Sequence, residues 1–135
     1  MVVAFPAMAQ QHPENANIKK GNEAYSKGNY KKATEYYEKA LTINPNSPVA
    51  KFNLGNAKCR SGNNEEAISF YEAAFKVMDN PVDKSNALYN KAVIYQRENK
   101  LEECIDAYKK ALRLDPLNED ARQNLQRALQ LQKKQ

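Results

Sequence analysis

The sequence predicts an all-α protein, a solenoid of three stacked helix hairpins closed by a C-terminal capping helix. Three observations carry this. Small residues recur at fixed intervals: Gly21, Gly55 and Ala92 lie 34 and 37 residues apart, and Ala33, Ala67 and Cys104 repeat those intervals. Larger residues keep the same register, in Tyr37, Tyr71 and Tyr108, in Ala40, Ala74 and Ala111, and in Leu41, Phe75 and Leu112. The chain is rich in strong helix formers (alanine, lysine, glutamate, leucine, glutamine), and its four glycines and lack of tryptophan argue against a turn-rich β fold. Self-similarity at a fixed period is the mark of a stacked array, in which each unit buries its apolar face only against its neighbours.

The elements follow in order. Residues 1–13 form a leader, and the repeat domain runs from 14 to 135 in units 14–47, 48–84 and 85–118. The first hairpin has helices over 14–27 and 30–43, broken at Lys27-Gly28-Asn29 and stopped by Asn44-Pro45. The second has helices over 48–61 and 64–79, broken at Ser61-Gly62-Asn63. The third has helices over 83–98 and 101–114, broken at Glu98-Asn99-Lys100 and stopped by Asp115-Pro116. Gly28, Gly62 and Asn99 are residue types that tolerate the left-handed conformation ending a helix. Pro45 and Pro116 remove a donor and clash with the preceding turn. Three additional residues fall between Met78 and Asp83, and a longer second helix or a wider loop is expected there. The last helix, 118–132, has a narrow apolar stripe of Ala121, Leu125, Ala128 and Leu129 and no partner, as a cap over the open end of an array requires.

Small residues at the eighth, twentieth and twenty-seventh places of a 34-residue unit, with an aromatic at the twenty-fourth, resemble the tetratricopeptide repeat. The resemblance extends from Glu14 to the C-terminus. It implies a right-handed superhelix whose first helices line a concave groove, and a protein or peptide as partner. The groove positions it assigns are Asn15, Ile18, Lys19, Asn22, Tyr25 and Ser26 in the first unit. In the second they are Val49, Phe52, Asn53, Asn56, Cys59 and Arg60, and in the third Asn86, Tyr89, Asn90, Val93, Gln96 and Arg97. The last helix adds Asp120, Gln123, Asn124, Arg127 and Gln130. Asn22, Asn53, Asn56, Asn90 and Asn124 form a ladder of amides suited to a peptide main chain, since each amide both donates and accepts. Tyr25, Phe52 and Tyr89, with Arg60, Arg97 and Arg127, are interface-anchor types.

Family members that dock chaperone C-termini hold two carboxylates with cationic side chains. Asn22 and Asn53 match that clamp, but its cationic places hold Ile18, Asn86 and Asn90. A C-terminal EEVD-type peptide would lose its charge-assisted bonds there. The capping helix that starts Asn118-Glu119-Asp120-Ala121-Arg122-Gln123-Asn124-Leu125 also resembles the small repeat proteins of bacterial aerotolerance operons, a narrower resemblance that implies a cell-envelope setting. Met1–Gln10, with Val2-Val3-Ala4-Phe5-Pro6 and the small-x-small triplet Ala7-Met8-Ala9, reads as the tail of a signal peptide. Export to the bacterial periplasm or a membrane-peripheral location is therefore expected, with a cytoplasmic one as the alternative.

Other chemistry is thin. The net charge of +5 comes from Lys-Lys pairs interleaved with acids, the pattern of solvated helix faces, without the basic stripe and stacking aromatics of a nucleic-acid surface. One histidine, His12, and two cysteines without a C-x-x-C partner suggest no catalytic, metal or cofactor site. Glu65-Glu66, Glu102-Glu103 and Glu119-Asp120 suit the positive ends of helices. No stretch reaches the ~18 apolar residues of a membrane span. Cys104 takes a core place, and a Cys59–Cys104 disulfide is not expected. A non-enzymatic adaptor is the leading reading. A self-associating envelope protein, using Tyr30, Tyr36 and Phe70 as exposed aromatics, is the alternative.

Overall fold

The computed structural model describes residues 12–135, and among them it holds seven α-helices and no strand. These are α1 (Asn15–Ser26), α2 (Tyr30–Ile43), α3 (Pro48–Arg60), α4 (Asn64–Val77), α5 (Pro81–Arg97), α6 (Leu101–Leu114) and α7 (Glu119–Lys133). Successive helices pack in pairs, α1 on α2, α3 on α4 and α5 on α6, and each pair meets the next along the chain. The chain is thus an all-α repeat solenoid. The reading of Met1–Gln10 as a signal-peptide tail lies outside the described residues.

Local chemistry sets the ends. Gly28, Gly62 and Asn99 close the first helix of each pair with φ of 76°, 81° and 58°, the left-handed region expected of them. Ser47 and Asn118 cap α3 and α7, accepting the N–H of Ala50 at 3.2 Å and of Ala121 at 3.1 Å. The acidic pairs Glu65-Glu66, Glu102-Glu103 and Glu119-Asp120 sit in first turns.

The three additional residues lengthen neither α4 nor a loop. Helices α2, α4 and α6 all have 14 residues, whereas α5 has 17 against 12 in α1 and 13 in α3. Pro81 accounts for this. At the first helical position its missing N–H is one that no helix uses, and its fixed φ is already helical. Asn80 completes the cap, its Oδ1 accepting the Val82 N–H at 2.8 Å.

Close approach within each pair builds the core. Ala33, Ala67, Cys104, Ala40, Ala74 and Ala111 are fully buried, and Tyr37, Tyr71 and Tyr108 are 1%, 3% and 0% exposed. The glycines face the tyrosine rings more than the small residues opposite. A methyl on Gly55 would lie 2.7 Å from Cε1 of Tyr71, and one on Gly21 would press harder still on Tyr37. At the far end, α7 buries Ala121 and Ala128 against the α5–α6 core, with Leu125 and Leu129 half-buried beside them. Ser85 adds a polar tie that the repeat columns do not reveal. Fully buried, it donates to the Ala111 carbonyl at 2.8 Å and accepts from Asn118 Nδ2 at 3.1 Å, joining α5, the end of α6 and the cap of α7.

Gly55→Ala tests this close approach. Helix propensity alone favours alanine by about 1 kcal/mol. Overpacking against a buried ring costs about 1–3 kcal/mol and wins. The variant should unfold at lower denaturant concentration with an unchanged m-value; a stabilised Gly55→Ala would show that the ring yields freely.

Candidate functional site

The core tyrosines end in the groove, where their hydroxyls organise the asparagines. Tyr37 donates to Asn22 Oδ1 at 2.6 Å, and the same oxygen accepts from Asn53 Nδ2 of the next unit at 3.1 Å. One unit on, Tyr71 donates to Asn56 Oδ1 at 2.5 Å, and that oxygen accepts from Asn90 Nδ2 at 3.1 Å. Each relay links a second helix, its own first helix and the first helix of the next unit.

The third junction differs. Val93 stands where Asn22 and Asn56 stand in their units and offers no acceptor, so Tyr108 donates to Gln96 Oε1 at 2.6 Å. Asn124 of α7 reaches back, its Nδ2 lying 3.3 Å from the Tyr89 hydroxyl and 3.4 Å from that of Tyr108. Arg127 donates to Asn124 Oδ1 at 3.3 Å.

The asparagine ladder is therefore half used within the fold. Asn22 and Asn56 spend their carbonyl oxygens and keep their N–H groups. Asn53 and Asn90 spend one N–H and keep their carbonyl oxygens. The sequence named these residues, but the relays arise only when the twenty-fourth-place tyrosine is paired with the ninth-place asparagine across the hairpin.

The expected site residues fall into clusters. Tyr25, Asn56, Cys59, Arg60, Asn90 and Arg97 surround a cavity of about 160 Å³. Phe52 lies towards the other edge. It stacks on Tyr71 with centroids 5.6 Å apart and lines a cavity of about 140 Å³ with Val49, Met78 and Asn86. Tyr89 packs on Tyr108 at 5.9 Å and joins Asn124 and Arg127 at the α7 end. Asn22 and Asn53 form the α1 end. Asn15, Lys19, Ser26, Asn86, Asp120, Gln123 and Gln130 are exposed, as groove positions should be. Ile18 is not: it is 7% exposed and packs with Ala40 and Ala50, so the fifth place of the first unit serves the core.

Two arginines dominate the electrostatics. Arg60 lies 5.2 Å over the Tyr30 ring, which meets Tyr25 edge-on at 5.2 Å. Arg60 and Arg97 are exposed, and neither forms an ion pair among the described residues. Burial pushes the phenols up, Tyr37 and Tyr108 to about 12 and Tyr71 further. Burial also raises the Cys104 thiol, and both cysteines are free. The second-helix aromatics expected to be exposed are half-buried instead: Tyr30 lies beneath Arg60, Phe70 packs against the α1–α3 core, and Tyr36 keeps a comparable partial exposure. Among the described residues, no group of acidic, His or Cys side chains is placed to hold a metal, and no helix is long and apolar enough to cross a membrane.

Comparison with known proteins places this geometry. The tetratricopeptide repeat family matches over residues 24–92, and again over 85–118. Sperm-associated antigen 1 of Mus musculus is 32% identical over 106 residues, which cover 78% of this chain and 11% of that protein. Photosystem I assembly protein Ycf3 of Prochlorococcus marinus is 32% identical over 125 residues, 93% of this chain and 53% of that protein. The chain thus spans only about a tenth of the antigen's length and about half of the cyanobacterial protein's. Among solved structures, the first TPR of Spaghetti (RPAP3) bound to HSP90 peptide SRMEEVD aligns with TM-score 0.79 and 25% identity over 87% of this chain and 91% of that one. The Sgt2 TPR domain from Aspergillus fumigatus shares the fold, with TM-score 0.80 and 23% identity over 96% of this chain and 85% of that one.

The buried phenols set an alkaline limit. Unfolded tyrosine ionises near its ordinary 10.0, whereas folded Tyr37 and Tyr108 hold their protons to about 12. The folded state therefore binds more protons between those values, and stability falls as pH rises through that window. Below pH 10 the contribution is fully present. Denaturant melts from pH 8 to 12 should show the decline, and the variant carrying Tyr37→Phe, Tyr71→Phe and Tyr108→Phe should lose most of its slope.

Proposed function

The chain belongs to the tetratricopeptide repeat family, and from that premise we propose that it is an adaptor gripping an extended segment of a partner protein in its concave groove. One observation carries the reading. The Asn22–Asn53 and Asn56–Asn90 pairs, one unit apart, each keep an amide N–H and an amide carbonyl after their internal bonds are made. A peptide unit offers one acceptor and one donor, so each pair can hold a main chain irrespective of sequence. The relays hold these amides in place before the ligand arrives, which lowers the ordering cost of binding.

The groove edges supply side-chain preference. Val49 is 53% exposed beside Phe52 at one edge, and Arg60 and Arg97 stand unpaired at the other. Side chains of an extended segment alternate in direction. The preferred segment therefore alternates apolar residues, for the Val49–Phe52 edge, with acidic residues for the arginines.

The peptide of the Spaghetti complex is a poor candidate. The three cationic clamp places hold Ile18, Asn86 and Asn90, and Ile18 is buried. Calorimetry with SRMEEVD should show no binding at micromolar affinity or tighter.

Selection from a library of extended decapeptides tests the proposal. Recovered peptides should alternate apolar and acidic residues. Arg60→Ala with Arg97→Ala should weaken their binding by about tenfold, the scale of one charged hydrogen bond, and should lower Tm by no more than the loss of the Arg60–Tyr30 contact. Failure to select any peptide, or selection indifferent to both arginines and to Asn53→Ala with Asn90→Ala, would contradict it.

A further inference from the structure

Helix α5 has two working faces. Asn90, Val93 and Arg97 line the groove, whereas Ala87, Leu88 and Lys91 line a second cavity, of about 560 Å³, between α4 and α6. Its interior is apolar: Tyr71 and Ala87 are buried, and Phe75, Leu88 and Leu114 are half-buried around them. Its rim is cationic. Lys91 pairs with Glu72 at 3.0 Å and Lys110 with Asp106 at 2.8 Å, so those charges are answered within the chain. Lys76 and Arg113, both exposed, form no ion pair among the described residues. Among the described residues Glu72 is the one carboxylate on the lining, and Lys91 already holds it.

The repeat columns show that this chemistry is particular to one junction. Where this junction has Lys76, Leu88 and Lys110, the preceding one has Thr42, Lys51 and Ala73, although the Arg113 column keeps a cation there in Lys76. The combination of an apolar Leu88 with a cation at Lys76 is thus particular to this junction.

Size decides what can occupy it. The lining runs over residues 71–76, 87–91 and 110–114, and at ~1.5 Å per residue each wall is roughly 8 Å long. That is too short for a partner helix, and protein interfaces need about 800 Å² on each side. The volume lies within the ~300–1,000 Å³ of small-molecule pockets.

We propose that this cavity binds a free amphiphilic carboxylate of small-molecule size. The apolar body lies on Phe75, Leu88 and Leu114. The carboxylate sits between Lys76 and Arg113, where it can accept two parallel bonds from the arginine fork. The site lies on the opposite side of α5 from the peptide groove, and Tyr71 lines both cavities.

Calorimetry on the full chain tests this with octanoate, octanol and octyltrimethylammonium as probes, each below its aggregation limit. Octanoate should bind saturably, once per chain. Octanol and the cation should bind more weakly. Lys76→Glu with Arg113→Glu should weaken octanoate by about tenfold or more, the scale of losing a charged hydrogen bond. Arg97→Ala, which lies on the groove face of α5 and does not line this cavity, should leave octanoate binding unchanged. Should the charge reversal disturb folding by circular dichroism, Lys76→Gln with Arg113→Gln makes the same comparison. Equal binding of octanol, octanoate affinity that survives loss of both cations, or binding only to phosphatidylglycerol vesicles and not to octanoate would overturn the proposal.

Discussion

The structure depends on how closely the two helices of each unit approach, and a tyrosine sets that distance. Its ring fills the space that Gly21 or Gly55 leaves open, and its hydroxyl then meets the asparagine one residue further along the first helix. That asparagine in turn accepts from the following unit. A packing contact inside one hairpin thus becomes a hydrogen bond between hairpins. In a linear array each unit is stabilised only by its neighbours, so ties of this kind govern how cooperatively the whole chain folds.

The same ties shape the groove. A buried phenol with a committed acceptor cannot swing, and an asparagine carbonyl shared by two donors fixes which amide atoms remain outward. The face formed by α1, α3 and α5 therefore carries a fixed order of donors and acceptors. At the third junction Val93 breaks that order, and Gln96 and Asn124 take up the tyrosine hydroxyls in its place. The amide surface is consequently best formed over the first three first-helices, where Arg60 and Arg97 also stand free.

Much of this was legible in the sequence because the repeat columns are short-range and periodic. Gly28, Gly62 and Asn99 marked the turns by backbone chemistry alone, and the helix ends agree with expectation to within two or so residues. The shift at Met78–Asp83 was visible, but its destination depended on reading Pro81 as a helix start when it looked like part of a connection. Ile18 occupies a groove column yet is buried, because it covers Ala40 of its own unit and Ala50 of the next. Tyr30, Tyr36 and Phe70 were expected to be exposed, and their neighbours leave them half-buried. The relays could not be read from either residue type singly. They need a hydroxyl and an amide from helices 15 residues apart in sequence, and a second amide from 31 or 34 residues away.

The most direct measurement is a double-mutant cycle across one relay, with Asn56→Ala and Asn90→Ala made singly and together and each variant unfolded in urea. If the shared carbonyl couples adjacent units, the two losses will fail to add by about 0.5 kcal/mol or more. Strict additivity would mean that the two asparagines act separately, and that this shared carbonyl does not couple the units.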